Sequence, residues 1–227
     1  MREVLNVAAY WFVRVDDVDA LRRTLLEQTE PRGLKGTILL AVEGINLSLA
    51  GAPSEVRAFL SELHADPRFA GMTVKESWSD VQPFRRMLVK IKAEIIRMGQ
   101  SAIRPESAGG RAPGVEPRTL KKWLDDGRDD EGREIVLLDT RNAYEVDQGS
   151  FDGAIDWRID QFTEFPAALA SRREELAGKT VVSFCTGGIR CENAASGRRE
   201  QGMDVVQLDG GILRYFEEVG GAHYHGN

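Results

Sequence analysis

The chain has 227 residues, 42% hydrophobic and 29% charged, with a formal net charge of −6. These proportions exclude a disordered or collagen-like chain, and the length fits two domains of about 100 residues each. No apolar run approaches the ~20 residues of a bilayer span, and the N-terminus MREVLNVAAYWFV alternates its apolar residues without a small-residue cleavage site, so a cytosolic protein is expected.

VLNVAAYWFV reads as a strand, and residues 17–28 space Val18, Leu21, Leu25 and Leu26 along a helical stripe with Asp16 or Asp17 at the N-cap. GTILLAV and NLSLAG form two strands around a tight turn at Glu43-Gly44. Residues 53–64 open with Pro53 and line up Val56, Phe59, Leu60 and Leu63 on one helical face. Strands near 73–78 and 87–96 follow. The order β-α-β-β-α-β with one further strand is the ferredoxin-like pattern, expected over residues 1–98.

Charge is unevenly spread. Residues 1–98 carry 14 basic and 13 acidic side chains, whereas 99–227 carry 16 and 23. FRRMLVKIKAEIIRMG sets Arg85, Arg86, Lys90, Lys92 and Arg97 against Glu94 alone. That makes it the best electrostatic candidate for touching a polyanion. The same stretch alternates Val89, Ile91, Ala93 and Ile95 with Lys90, Lys92 and Glu94, as a strand with one wet face also requires.

Residues 99–117, rich in Gly, Pro, Ser and Ala without an apolar period, are expected to be a linker. Residues 118–221 alternate helices and strands: PRTLKKWLDDG as a helix, EIVLLDTR as a buried strand, and NAYEV as a helical turn. FPAALASRREELAG is a helix ended by Gly178, TVVSF is a strand, RCENAASGRREQG is a helix, and MDVVQLDGGILRYFEEVGG supplies a last strand and helix. This implies a mainly parallel sheet in an α/β domain, with ligands at the carboxyl ends of its strands. Residues 222–227 are expected to be a tail.

Both cysteines lie in SFCTGGIRCENAA. Two cysteines in a reducing compartment argue against a structural disulfide framework. A strand ending in Cys185, a turn through Thr186, Gly187, Gly188, Ile189 and Arg190, and then a helix can aim backbone N–H groups and a helix N-terminus at one anion. A thiolate at the mouth of this loop gains stability and reactivity. Arg190 adds a positive charge for an anionic or electron-rich substrate. Cys191 is either a resolving thiol for Cys185 or a packing and hydrogen-bonding residue of the helix start. His64, His223 and His225 form no metal set with the cysteines, and no flavin or nucleotide fingerprint is present.

C-x4-R after an apolar strand resembles the active-site loop of rhodanese domains, and LLDTRNAYEVDQGSFDGA is similar to their earlier segment, with Asp139, Arg141, Tyr144 and Glu145 in matching places. Ser150 stands where rhodaneses often carry His. Related dual-specificity phosphatases have one residue more in the loop, which disfavours phosphoryl transfer here. CTGGIRCENA, GTILLAVEGIN, RRMLVKIKAEII and LDGGILRYFEE together resemble the rhodanese-related tRNA uridine hydroxylase family over nearly the whole chain.

That resemblance implies oxygen-dependent 5-hydroxylation of the wobble uridine, with Cys185 as nucleophile, dioxygen as co-substrate and tRNA as partner. The expected chemistry is addition of Cys185 to C6 of the pyrimidine, with loop amides or Arg190 stabilising the charge that reaches C5. Asp139, Arg141 and Glu145 would form a supporting framework, and Arg85, Arg86, Lys90 and Lys92 would hold the tRNA. The alternative is a rhodanese-type sulfurtransferase carrying a persulfide on Cys185. A purely protein-binding rhodanese-like module would be expected to lack the cysteine.

Overall fold

The computed structural model describes residues 3–97, 113–191 and 205–226, so most of the expected linker, and the helix expected beyond Cys191, lie outside the described residues. The chain divides into two compact units, Met1–Ile95 and Ile96–Asn227.

The first unit is ferredoxin-like. Strand β1 (Val4–Phe12) is followed by helix α1 (Val18–Thr29), the hairpin β2 (Lys35–Ala41) and β3 (Gly44–Gly51), helix α2 (Pro53–Ala65), β4 (Lys75–Ser79) and β5 (Met87–Ile91). The sheet order is β4-β1-β3-β2-β5, with β5 parallel to β2 and the remaining pairs antiparallel. Alternate residues explain the layering: Leu5, Val7, Ile38, Leu40, Leu47 and Leu49 point to one face. There they form a single core with Leu21 and Leu25 of α1 and Val56, Phe59, Leu60 and Leu63 of α2. Asp17 does occupy the N-cap of α1, but its carboxylate pairs with Arg68 instead of capping the helix.

The strand expected over 87–96 stops at Ile91. Lys92 N–H still bonds Leu40 O at 2.8 Å, but Ile91 and Ala93 are exposed while Ile95 is buried. The Ile95 peptide is gripped by side chains instead of a strand: its N–H donates to Glu43 Oε1 at 2.7 Å and its carbonyl accepts Asn46 Nδ2 at 3.1 Å. The alternation beyond Ile91 is therefore not a sheet pleat.

In the second unit the described elements are β6 (Gly114–Val115), α3 (Pro117–Asp126), β7 (Ile135–Asp139), α4 (Ala143–Val146), β8 (Gly149–Phe151) and β9 (Ile155–Asp156). They continue as α5 (Phe165–Arg172), β10 (Thr180–Phe184), β11 (Val205–Leu208), α6 (Gly211–Val219) and β12 (Tyr224–Gly226). Its sheet has the order β6-β11-β10-β7-β9 with parallel pairs throughout. Both faces of β10 are covered, as a continuous apolar strand demands. Val181 joins the core of Leu138, Trp157 and Phe165, and Val182 and Phe184 join that of Leu120, Leu137 and Tyr215.

Two boundary expectations are corrected. Gly114–Val115 pairs with β11 and Pro117 opens α3, so the end of the expected linker is part of the sheet unit. Tyr224–Gly226 is not a loose tail but pairs antiparallel with Gly149–Phe151. Aromatic packing explains this: Phe151 meets Phe184, Tyr215 and Tyr224 edge-on at centroid distances of 5.0, 4.8 and 5.5 Å. Phe151→Ala would remove all three contacts and leave a cavity, so it is expected to destabilise the unit by ~3–5 kcal/mol, measured by chemical denaturation.

Candidate active site

Cys185 follows directly on β10, at the carboxyl end of the central strand, and the chain turns helical at Ile189. The loop closes over the sulfur. Gly188 N–H donates to Cys185 Sγ at 3.1 Å, and both the side chain and the backbone N–H of Cys191 hydrogen-bond the same sulfur. Gly188 holds φ 100°, a conformation that glycine adopts without steric cost. Gly187 is different: a Cβ there would meet nothing within 4 Å.

The sulfur does not sit at the loop's mouth. Cys185 and Cys191 are both 0% exposed, because the amides that turn inward place the thiol beneath the turn. Burial alone pushes the Cys185 thiol up. The Cys191 side chain, the Arg190 charge and the N–H groups of Cys191 and Gly188 outweigh it and bring the pKa down to about 5. These groups favour the thiolate form of the sulfur.

Arg190 is not a free cation facing the loop. Its guanidinium clasps Glu145 in a bidentate pair, Nη1 to Oε2 at 2.5 Å and Nη2 to Oε1 at 2.6 Å. Glu145 also accepts Thr186 Oγ1 at 3.1 Å and the Asn142 N–H at 3.2 Å. Four donors thus use the carboxylate's acceptor capacity. Burial opposes ionisation of Glu145, but Arg190 and the added donors leave its pKa lowered. For Arg190, burial opposes the charge while Glu145 and the Cys185 sulfur raise its pKa. Arg190 acts on the sulfur through its charge while Nη1 and Nη2 both donate to Glu145 and Nη2 also reaches Thr186 Oγ1 at 3.5 Å.

The segment after β7 positions Glu145. Asp139 and Arg141 are 2% and 5% exposed; Arg141 Nη2 meets Asp139 Oδ2 at 2.7 Å and Gly149 O at 2.6 Å. Ser150 Oγ, at the position where a histidine role is absent, donates to Asp139 Oδ2 at 2.7 Å. Tyr144 is 66% exposed. Thr140, which sequence reading overlooked, joins the strand ends. Its N–H and hydroxyl both reach Phe184 O, at 3.0 and 2.9 Å, and its Oγ1 lies 3.4 Å from Cys191 Sγ.

The base of the loop was also missed. Ile212 N–H donates to Cys185 O at 3.0 Å and Leu213 N–H to Thr186 O at 3.3 Å, so first-turn amides of α6 find their acceptors in the loop. Gly211 has φ 67°, and a Cβ on it would lie 2.4 Å from Cys185 O. The available signal was Gly-Gly ahead of a helix, where a Ser, Thr or Asp cap is usual.

Arg85, Arg86, Lys90 and Lys92 belong to the other unit. All four are exposed, and none has a side-chain hydrogen bond or ion pair among the described residues. No group of three or more His, Cys, Asp or Glu among the described residues could hold a metal ion, and no helix among them is long and apolar enough to cross a membrane.

The fold and loop together define a rhodanese-like domain preceded by a ferredoxin-like one. Family models agree: residues 4–95 match the UPF0176 acylphosphatase-like domain and residues 116–218 the rhodanese-like domain. A protein of Variovorax paradoxus called tRNA uridine(34) hydroxylase is 67% identical over 100% of this chain and 86% of its own length. Proteins of the same name from Delftia acidovorans and Bordetella petrii are 59% and 58% identical, each over 100% of this chain and over 86% and 90% of their own lengths. The chain belongs to the tRNA uridine(34) hydroxylase family.

The charges around the sulfur set opposite expectations for two variants. Arg190→Met removes the cation and should raise the Cys185 pKa by roughly 1–3 pH units, whereas Glu145→Gln leaves Arg190 unneutralised and should lower it. The thiolate is present above its pKa and lost below it. Ultraviolet thiolate absorbance, titrated with pH against a Cys185→Ser reference, reads both shifts.

Proposed function

We propose that this chain hydroxylates C5 of the wobble uridine of tRNA in the cytosol, with Cys185 as nucleophile and dioxygen as co-substrate. The observation that carries the reading is the Cys185 sulfur, held as an anion by donors at a strand end, in a chain of this family. A thiolate adds to C6 of uracil, and the electron pair displaced from the C5–C6 double bond makes C5 nucleophilic toward dioxygen. Once a two-electron reduction has broken the O–O bond of the C5 peroxide and released the outer oxygen as water, expulsion of the thiolate with loss of the C5 proton restores the double bond. Because Arg190 is bound to Glu145, the amides of Gly188 and Cys191 are the groups placed to stabilise developing charge, and Arg190 contributes its field.

Since Cys185 has no solvent exposure, the base reaches it only when the loop moves. Gly187, with open space beside it, marks the side where movement meets least resistance. A base entering this site has left its stack, as enzymes acting on a nucleobase require. Asp139, Arg141 and Glu145 serve as positioning residues for the loop.

Nucleoside mass spectrometry of tRNA decides the assignment. Cells lacking the protein should regain 5-hydroxyuridine-derived nucleosides when complemented with the wild type and stay without them with Cys185→Ala; modification in the Cys185→Ala cells removes the nucleophile. Thiocyanate formed from thiosulfate and cyanide, with tRNA unchanged, would favour sulfur transfer instead.

Arg85, Arg86, Lys90 and Lys92 are the proposed phosphate contacts. Combining Arg85→Glu with Lys90→Glu should weaken tRNA binding and reduce the slope of log affinity against log salt by about 2. A salt titration with unchanged affinity and slope returns the stretch to a solvated strand face.

A further inference from the structure

Hydroxylating uracil with dioxygen leaves an electron account open. Uracil and dioxygen together hold one oxygen atom more than 5-hydroxyuracil, and its release as water needs two electrons and two protons. We propose that Cys191 and Cys185 supply them as a dithiol, ending each turnover as a Cys185–Cys191 disulfide that an external thiol reductant reopens. This rests on the reading of Cys185 as the nucleophile toward C6.

The placement of Cys191 argues for it. The chain has two cysteines, neither in a disulfide and both fully buried. The Cys191 thiol hydrogen-bonds the Cys185 sulfur and has the Thr140 hydroxyl 3.4 Å away. A second thiol in hydrogen-bond contact with a buried thiolate is placed to attack whatever forms there. Bulk oxidants have no direct access to either sulfur. Disulfide geometry requires the sulfurs to close to about 2 Å, and Gly187 and Gly188 between them let the loop adjust.

The step balances as follows. Cys185 thiolate adds to C6, and the electron pair at C5 bonds dioxygen. The resulting peroxide takes from solvent the proton that Cys185 released on ionising. Cys191 sulfur attacks the outer oxygen of the C5 hydroperoxide. The O–O bond breaks, the C5 oxygen takes the thiol proton of Cys191, and Cys191 becomes a sulfenic acid. Loss of the C5 proton expels Cys185 thiolate and releases 5-hydroxyuracil. The freed thiolate attacks the Cys191 sulfenic sulfur, forming the S–S bond and displacing hydroxide, which combines with the C5 proton as water. Carbon is oxidised at C5, two thiols are oxidised to a disulfide, and dioxygen is reduced.

The test uses the full chain, reduced and then freed of small thiols, with tRNA and air. The expected result is one 5-hydroxyuridine per chain, loss of both titratable thiols, a cross-linked Cys185–Cys191 peptide by mass spectrometry, and further turnover only after a dithiol reductant is added. Product formed with both thiols still titratable, or repeated turnover without a reductant, overturns the proposal. Exchange of the wobble C5 hydrogen for solvent deuterium without oxygen reports C6 addition independently of electron supply. Cys191→Ser, whose hydroxyl keeps a donor beside Cys185, should retain that exchange while single-turnover hydroxylation falls by about tenfold or more. Absence of exchange in the wild type removes the nucleophile reading itself; exchange with intact thiols after turnover removes only the dithiol.

Discussion

A sulfur anion without solvent contact can exist only where other donors replace the water it has lost. In this chain those donors are two amides of the Cys185 loop and the neighbouring thiol, with a guanidinium charge nearby. The rest of the sheet unit keeps these groups in place. Burial favours the neutral thiol; the short loop wins because three donors converge on one atom within six residues of chain.

The loop is clamped from both sides. Glu145 draws in Thr186 and Arg190, and its position follows from the buried Asp139–Arg141 pair and the Ser150 hydroxyl at the end of β7. On the other side, the first amides of α6 take the carbonyls of Cys185 and Thr186. Carbonyls turned toward α6 leave the amides of the same loop free to face the sulfur. Breaking a buried charge pair by removing one partner costs more than the pair adds when intact. The Cys185 sulfur lies fully buried beneath this clamp.

The two units divide the electrostatic work. The acidic excess belongs to the second half of the chain, while the first unit presents exposed basic side chains on and beside β5. A polyanion binding such a surface does so locally, through phosphate contacts that salt weakens. In the second unit, the like charges of a thiolate and a bound phosphate would disfavour each other, which suits a site that receives a base and not its backbone. Pairing the reactive sulfur with a second thiol adds reducing capacity at the same point without requiring a separate binding site.

Much of the architecture was legible in local pattern. The spacing of Leu21 and Leu25, or of Val56, Phe59, Leu60 and Leu63, is a property of a few consecutive turns, and the TVVSF run, bounded by Gly178 and the cysteine loop, fits a strand covered on both faces. From these the two fold types, the parallel sheet and the place of Cys185 at a strand end follow. Tertiary structure alone decided that Arg190 is taken by Glu145, 45 positions earlier, and that Ile95 is held by Glu43 and Asn46 instead of a strand. It also decided that the last residues pair with β8, and that the sulfur lies under its loop, with Cys191 against it. Periodicity reports which face of an element meets a core; the partner of a charged or polar group depends on which distant segments arrive within about 3 Å of it, and only the folded chain settles that.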